Sequence, residues 1–541
     1  MLENFKKTFN FIFGGVTMSY NSLMFFVLVM LLLLIMLLCR SVRARRNLIL
    51  IASLGFYVWA GGKLGICVIL LTTFIVYVSS RRMGTIYEEY EQKKDEYSPK
   101  ERMAILNQYK KRTRWYMYLT CILVWGIWIY IKVGKLFLNT TDSFRAWTSG
   151  FGILVPLGIS YYTLSLAGYI MDVYWRKAKA EKNFLNLLTV VTYFPHIVQG
   201  PIGKYDKLLK QLKNIPPFEY ERVCFGLQLM FWGYFKKLVI ADRVSIFTST
   251  VFRDVVRFSG VEILLAVVLC VFQLYADFSG CMDIVRGISQ ALGIELDQNF
   301  KQPFASRTAA EFWRRWHATL GAWTKDYIYM PIALGPKYMK WVWAQKKKTP
   351  KWFFGAVGDV LPLLLVWLFT GLWHGSGWDY VVWGIYWFLI MIVSQMSRPL
   401  VEAILQKMKI QTEQGWYQIV QRIKVFFLFA MGRMFTVAGG LAGCRLLWKR
   451  LFTEHKLWVL FDGSLYNYGV NQRYAYVIFL GIVLMLLVDR WHENGVKLRE
   501  TVAAMPIYVR WPIYFALIFS IVILGTYGAG YDATSFVYGA F

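Results

Sequence analysis

The chain has 541 residues, of which 57% are hydrophobic and only 17% are charged. A soluble domain carries roughly 25% charged residues, so the composition excludes an ordinary soluble protein and indicates a membrane protein. The formal net charge of +29 is typical of basic cytoplasmic loops. Nucleic-acid binding would conflict with burial in lipid, so we expect no nucleic-acid partner.

Uncharged apolar stretches recur along the whole chain, and crossing a bilayer takes roughly 17–25 such residues. We therefore predict an all-α, polytopic membrane protein with about eleven transmembrane helices plus re-entrant and interfacial helices. The first span is expected at 23–39, because this stretch is too long for the apolar core of a signal peptide. Residues 1–541 are expected to form a single membrane domain. The stretches are 8–39, 47–62, 64–80, 115–131, 146–171, 360–378, 380–397, 474–488 and 511–531, with shorter ones at 183–203, 223–235, 263–276 and 434–444.

Clusters of lysine and arginine follow the first, third and fifth predicted spans, at 40–46, 93–114 and 176–182. Placing them in the cytoplasm puts the N-terminus outside. The charged segment 86–114 is predicted to be helical, broken near Pro99, and to lie along the inner face. There it could contact anionic membrane lipid or be a plain solvated helix.

Three of the five histidines are weak candidates for chemistry. His196 lies between Pro195 and Pro201, which interrupt a helix and indicate a re-entrant turn that lines a cavity. His455 and His492 lie in polar stretches near span ends, and we expect both to be structural or solvent-exposed.

The segment 273–326 contains several polar and charged residues that are candidates for chemistry. Thr308-x-x-Glu311 forms a capping box that predicts a helix through about Gly321.

On that helix Trp313, His317 and Leu320 would share one face, since they stand at i, i+4 and i+7. Considered alone, a helical histidine beside tryptophan is more often a packing residue than a catalyst. Asp277, within an apolar run, could likewise be a structural hydrogen-bond acceptor at the end of a span.

The run from Val360 to Trp378 is apolar and contains one ionisable side chain, His374. An ionisable group inside a span is costly and marks a functional site by default. Histidine suits proton transfer near neutral pH, and burial favours its neutral form. We therefore predict a reactive centre at His374, within the depth of the membrane.

No metal-binding, nucleotide-binding or serine-hydrolase motif stands in the sequence. The seven cysteines contain no C-x-x-C pair, so neither a metal site nor a disulfide framework is expected.

Several ordered motifs resemble the membrane-bound O-acyltransferases, and most closely the membrane subunit of bacterial alginate and exopolysaccharide O-acetylation systems. FWRRWH followed by LWHG is the most specific pair. The matching segments are NLILIASLGFYVW at 47–59, FPHIVQGPIGKY at 194–205, QLYADFSGCMD at 273–283, NFKQPFASRTAAEFWRRWH at 299–317, DYIYMP at 326–331 and LWHGSGWDYVVWG at 372–384.

The resemblance implies a ring of helices around a thinned central tunnel, with the core motifs in 194–384. It implies that His374 is the catalytic base of acyl transfer from a thioester to a hydroxyl. His317 would orient the acceptor or donate a hydrogen bond to the developing oxyanion. The expected substrate-binding residues are Trp313, Trp316, Trp373, Asp277 and Arg314.

No permanently bound cofactor is expected, and acetyl-CoA is favoured as the thioester donor over an acyl-carrier phosphopantetheine. The expected acceptor is an exported polysaccharide, with an extracytoplasmic acyltransferase partner, at a bacterial plasma membrane. D-alanyl transfer toward teichoic acids is the alternative within the family. A multi-span transporter, in which His374 would relay protons, is the alternative outside it.

The lysines of 337–351 precede the span that holds His374 and belong in the cytoplasm. A helix from Asp359 to His374 is about 22 Å long at roughly 1.5 Å per residue. In a hydrocarbon core of about 30 Å this places His374 in the outer half. We therefore expect the donor to enter from the cytoplasm and the acceptor from outside.

Overall fold

The computed structural model describes residues 19–138, 156–350, 353 and 355–527. Within these ranges the chain is built of helices, without strands, and the all-α prediction is confirmed. The predicted run 8–39 lies partly outside the described residues, and so does part of the run 146–171.

The first half of the chain contains ten helices in the described residues. They are α1 (Leu23–Leu38), α2 (Val42–Lys93), α3 (Pro99–Leu138), α4 (Ile159–Tyr174), α5 (Phe184–Thr192), α6 (Phe194–Ile197), α7 (Tyr205–Lys213), α8 (Tyr220–Tyr234), α9 (Asp242–Arg253) and α10 (Gly260–Ala291). A π-helical turn at Phe235–Ala241 joins α8 to α9.

Eleven further helices follow in the described part of the second half. They are α11 (Ala309–Arg315), α12 (Ala318–Thr324), α13 (Met330–Ala333), α14 (Pro336–Lys346), α15 (Val360–His374), α16 (Trp378–Lys407), α17 (Gly415–Val437), α18 (Leu441–Thr453), α19 (Gln472–Glu493), α20 (Leu498–Ala503) and α21 (Ile507–Leu524). A second π-helical turn at Lys325–Tyr329 joins α12 to α13.

Six helices of the described chain are long and apolar enough to cross a membrane. They are Gly65–Glu96, Tyr220–Arg253, Gly260–Ala291, Trp378–Lys407, Gln472–Glu493 and Ile507–Leu524. Two shorter apolar helices, α1 and α15, have the composition of a span but not its full length. The polytopic character is thus confirmed, whereas the number of about eleven crossings stays a prediction.

Local sequence signals fix several helix ends. Ser22 caps α1 by accepting a hydrogen bond from the backbone N–H of Phe25, as N-cap serines do. The runs 47–62 and 64–80 form one element, α2, which kinks at Gly62, where φ is +69°. The charged segment 86–114 is helical and broken before Pro99, as predicted, and α3 begins there.

Helices α8 and α10 pack backbone against backbone because glycines face each other. A Cβ atom on Gly226 would lie 2.5 Å from the carbonyl oxygen of Gly287, and one on Gly233 would lie 2.5 Å from that of Gly280. Such small-residue contacts are how membrane helices approach closely. On α10, the ring of Phe278 contacts Phe300 and His317 of the polar segment 299–324.

A buried ion cluster joins α10 to the π-helical turn at Phe235–Ala241 and to the start of α9. The Lys237 ammonium is 2.7 Å from the carboxylate of Asp277 and 2.8 Å from that of Asp242, and these three side chains are at most 9% exposed. A buried charge is tolerated only when it is paired and hydrogen-bonded, so Lys237 and Asp277 stabilise each other. In this location Asp277 pairs with a buried cation inside the protein.

Candidate active site

The helix predicted to run from Thr308 through about Gly321 is interrupted, and that prediction is wrong in its second half. Its start is confirmed, because Thr308 Oγ1 accepts a hydrogen bond of 3.1 Å from the backbone N–H of Glu311. The helix ends at Arg315, and Trp316 is extended. His317 adopts a left-handed conformation with φ +48° and ψ +46°, after which α12 begins.

Pairing with an earlier segment causes this interruption. Phe300 and Trp316 form an antiparallel bridge. On either side of it, Lys301 N–H donates to the Arg315 carbonyl and Ala318 N–H donates to the Asn299 carbonyl, both at 3.0 Å.

Because of the break, His317 and Leu320 do not continue the face that Trp313 begins, contrary to the i, i+4, i+7 expectation. A left-handed backbone at a residue other than glycine stores strain and often marks a functional site.

The His317 side chain is buried and held by several contacts. Its Nδ1 lies 3.1 Å from Asn299 Oδ1, and the Phe278 ring packs edge-on at 4.8 Å between centroids. His317 lies outside the spanning helices, and burial lowers the pKa of its imidazole well below the ordinary value, with a further contribution from nearby His374. Burial thus favours the neutral form of the ring.

The apolar run predicted at 360–378 is helical up to His374, which is the last residue of α15. Its ring packs between two tryptophans, Trp373 at 4.9 Å and Trp383 at 5.4 Å between centroids. The ring centroids of His317 and His374 are 6.2 Å apart. The two histidines that the sequence analysis singled out, 57 positions apart, thus form one pair.

Both histidines line one cavity of about 1050 Å³. The lining includes Asp359, before the start of α15, and His374 at its end, so the cavity extends along this helix. Trp313, Trp316 and Arg314, three of the expected substrate-binding residues, also line it. At the Asp359 end, the carboxylate accepts a hydrogen bond of 2.7 Å from Gln395 and another from the Tyr329 hydroxyl.

Two expected binding residues lie elsewhere. Trp373 stands behind the rings, 5.8 Å from His317 between centroids, and donates from Nε1 to the Ser160 carbonyl at 3.2 Å. Trp373 thus packs directly on the ring of His374 but does not line the cavity. Asp277 does not line this cavity and instead contacts Lys237, so its expected role in substrate binding stays a prediction.

The remaining histidines take no part in this cavity. His196 lies near the Val190 carbonyl, at 3.3 Å, on the short helix α6. His455 is exposed. His492 lines a second, more polar cavity of about 540 Å³, together with Lys236, Asp283 and Arg499.

Three residues that contribute to the site are not predicted by the sequence patterns. Asn299 holds His317, Trp383 packs on His374, and Gln395 binds Asp359 at the far end. Asn299 stands in a motif segment, yet nothing in its spacing indicates a contact with a residue 18 positions later.

Comparison with known proteins finds a family model that matches part of the chain. Residues 113–342 match the family model described as MBOAT, membrane-bound O-acyltransferase family. The matched range includes His317 and ends before His374. Over this range the chain is similar to the membrane-bound O-acyltransferase family, the family that its motifs resemble.

Curated relatives come from several bacteria. The chain is 28% identical to the probable alginate O-acetylase AlgI of Pseudomonas putida, over 49% of this chain and 58% of the relative. It is 31% identical to a peptidoglycan O-acetyltransferase of Helicobacter pylori, over 46% and 50%. It is 28% identical to a teichoic acid D-alanyltransferase of Bacillus subtilis, over 43% and 58%. The chain spans about half the length of the curated relatives it matches. Together with its apolar helices, these relatives identify a bacterial multi-pass membrane protein.

Proposed function

We propose that the protein is a membrane O-acyltransferase that moves an acyl group, in the first instance acetyl, from a thioester to a hydroxyl of an exported polysaccharide. The pairing of His317 and His374 in one cavity is the observation that carries this proposal. The similarity of residues 113–342 to the membrane-bound O-acyltransferase family supports the reaction class.

His374 acts as the general base. A neutral imidazole nitrogen accepts the proton of the acceptor hydroxyl while that oxygen attacks the thioester carbonyl carbon. The tetrahedral intermediate then collapses, the carbon–sulfur bond breaks, and the imidazolium returns the proton to the departing thiolate. The surrounding tryptophans exclude water, which limits competing hydrolysis of the thioester.

The donor enters from the cytoplasmic end of the cavity. The cavity reaches Asp359, and the lysine-rich segment before α15 belongs in the cytoplasm by the positive-inside rule. Trp313 and Trp316 offer aromatic walls to an extended pantetheine arm, and Arg314, exposed on this cavity, suits its phosphates. Acetyl-CoA is the favoured donor, and a carrier-protein phosphopantetheine is the alternative.

The acceptor reaches His374 from outside, and an extracytoplasmic acyltransferase partner completes the transfer to the polymer. The relatives named alginate O-acetylase and peptidoglycan O-acetyltransferase support acetyl transfer to a glycan. The relative named teichoic acid D-alanyltransferase supports the second candidate, D-alanyl transfer. Deletion of the gene should lower polymer-bound acetate and leave wall D-alanine unchanged, whereas the second candidate predicts the reverse.

Purified protein tests the chemistry. With labelled acetyl-CoA and an oligosaccharide acceptor, His374→Gln should lower the transfer rate by about 10²- to 10⁴-fold, the usual contribution of a general base. His455→Gln is the matched control, because His455 is exposed and takes no part in the cavity. Transfer by His374→Gln at the rate of the control would refute the assignment of the base.

A further inference from the structure

Asn299 makes an unusual set of contacts beneath the histidine pair. Its side-chain oxygen lies 3.1 Å from His317 Nδ1, 3.1 Å from the backbone nitrogen of Thr319 and 2.8 Å from Thr319 Oγ1. Its side-chain nitrogen lies 3.2 Å from the sulfur of Met282. Asn299 is 1% exposed, so these contacts determine how the amide is oriented.

These partners fix which amide atom faces His317. A backbone N–H can only donate, so the atom that contacts Thr319 N must be the carbonyl oxygen. The Thr319 hydroxyl supports the same orientation of the amide. Its oxygen accepts a hydrogen bond of 3.0 Å from the Ile202 N–H, so its own hydrogen is directed to the side-chain oxygen of Asn299. Rotating the amide by 180° would place the NH₂ group of Asn299, a donor, against the backbone N–H of Thr319, which is also a donor.

The tautomer of His317 follows. An oxygen that already accepts from Thr319 can only accept from His317, so Nδ1 of the imidazole carries the hydrogen. In the neutral ring the other nitrogen, Nε2, then has no hydrogen and acts as an acceptor. A neutral Nδ1–H imidazole cannot donate from Nε2 to an oxyanion.

We propose that Asn299 is a positioning residue that fixes His317 as the Nδ1–H tautomer, so that His317 accepts a hydrogen bond from the hydroxyl-bearing substrate and does not stabilise the oxyanion. This deepens the proposed function and rests on it for the identity of the substrate. It selects one of the two roles that the resemblance leaves open for His317. The left-handed backbone of His317 is what brings its ring onto Asn299.

The tautomer can be measured without any assay of activity. The full chain is labelled with ¹⁵N-histidine, reconstituted in lipid and studied by NMR, where protonated and unprotonated imidazole nitrogens differ strongly in chemical shift. With five histidines in the chain, the signal absent from His317→Gln identifies residue 317. We expect a protonated Nδ1 and an unprotonated Nε2. A protonated Nε2 at this residue would overturn the proposal.

Variants of Asn299 separate positioning from folding. Asn299→Leu removes the acceptor at Nδ1, so His317 should no longer be held as the Nδ1–H tautomer and the rate of acyl transfer should fall. Asn299→Asp keeps an acceptor oxygen and should keep the Nδ1–H tautomer. Met282→Leu is the matched control, because it removes the contact of the Asn299 nitrogen and leaves all three contacts of the oxygen. An unchanged tautomer in a folded Asn299→Leu would refute the role of Asn299.

The pH profile adds a readout that a purely structural role would not move. The ring of His374 lies 6.2 Å from that of His317 between centroids, and Asn299→Asp places a carboxylate beside Nδ1 of His317. An adjacent negative charge raises the pKa of an imidazole, by about one to three pH units for close pairs. Since the neutral ring is the active form, Asn299→Asp should lose activity at a higher pH on the acid side than the wild type. If Asn299→Asp lost activity on the acid side at the same pH as the wild type, the proposal would be contradicted.

Failure of the two proposals is distinguishable. If the protein transfers no acyl group but NMR shows the Nδ1–H tautomer bound to Asn299, only the function is wrong. If transfer occurs and His317 carries its hydrogen on Nε2, only this inference is wrong.

Discussion

Gly384 sets the distance between the helix that carries His374 and the helix that covers it. A Cβ atom added to Gly384 of α16 would lie 2.5 Å from the Trp367 carbonyl oxygen of α15, where ordinary contact begins at 3.4 Å. The Gly384→Ala substitution therefore requires the two backbones to separate by about 0.9 Å. Trp383, which packs on His374, would move with α16.

A displacement of this size has a defined consequence for catalysis. A misplacement of about 1 Å in an active site can lower the rate by about 10²-fold, which corresponds to about 2.7 kcal/mol in activation free energy. Overpacking should also lower the free energy of unfolding by about 1–3 kcal/mol. Initial rates of acyl transfer and thermal unfolding of the purified, monodisperse variant would measure both quantities.

Gly126→Ala is the matched control, because Gly126 lies within α3 and has no atom within 4 Å of its added Cβ. Alanine favours helix over glycine by about 1 kcal/mol, so this variant should be at least as stable as the wild type and equally active. A folded Gly384→Ala with transfer within about threefold of the control would refute the reasoning, since a displacement of about 1 Å at the reacting groups should cost far more than that.

Two further substitutions test the packing around the site. Lys237→Met removes the cation shared by Asp277 and Asp242, and thermal unfolding should show a loss of about 3–5 kcal/mol; a variant as stable as the wild type would contradict the structural role given to Asp277. Thr308→Ala removes the cap of α11 and should cost about 1 kcal/mol in stability, with full activity at temperatures where the variant is folded; an unchanged unfolding temperature would contradict the cap.

Local signals in the sequence predict much of this fold. Apolar run length predicts the class, and Thr308 predicts the start of α11. These features depend on residues within a few positions of one another, which is why pattern alone is sufficient.

The parts that sequence could not predict depend on distant partners. The segment 309–321 has helical patterning throughout, yet the bridge between Phe300 and Trp316 breaks it and turns His317 toward Asn299. From the sequence alone, Asp277 could be a ligand or a structural hydrogen-bond acceptor. Its partner in the structure, Lys237, stands 40 positions earlier in the chain. In both cases a tertiary contact overrides the local preference.

Transfer across a sealed bilayer tests the central claim most directly. The protein is reconstituted in proteoliposomes with acetyl-CoA supplied on one side and an acceptor oligosaccharide on the other. We predict acetylated product only when the donor is on the side of the lysine-rich segment 337–351, and loss of that product in His374→Gln but not in His455→Gln. Product formed equally from either side, or undiminished in His374→Gln, would contradict the account.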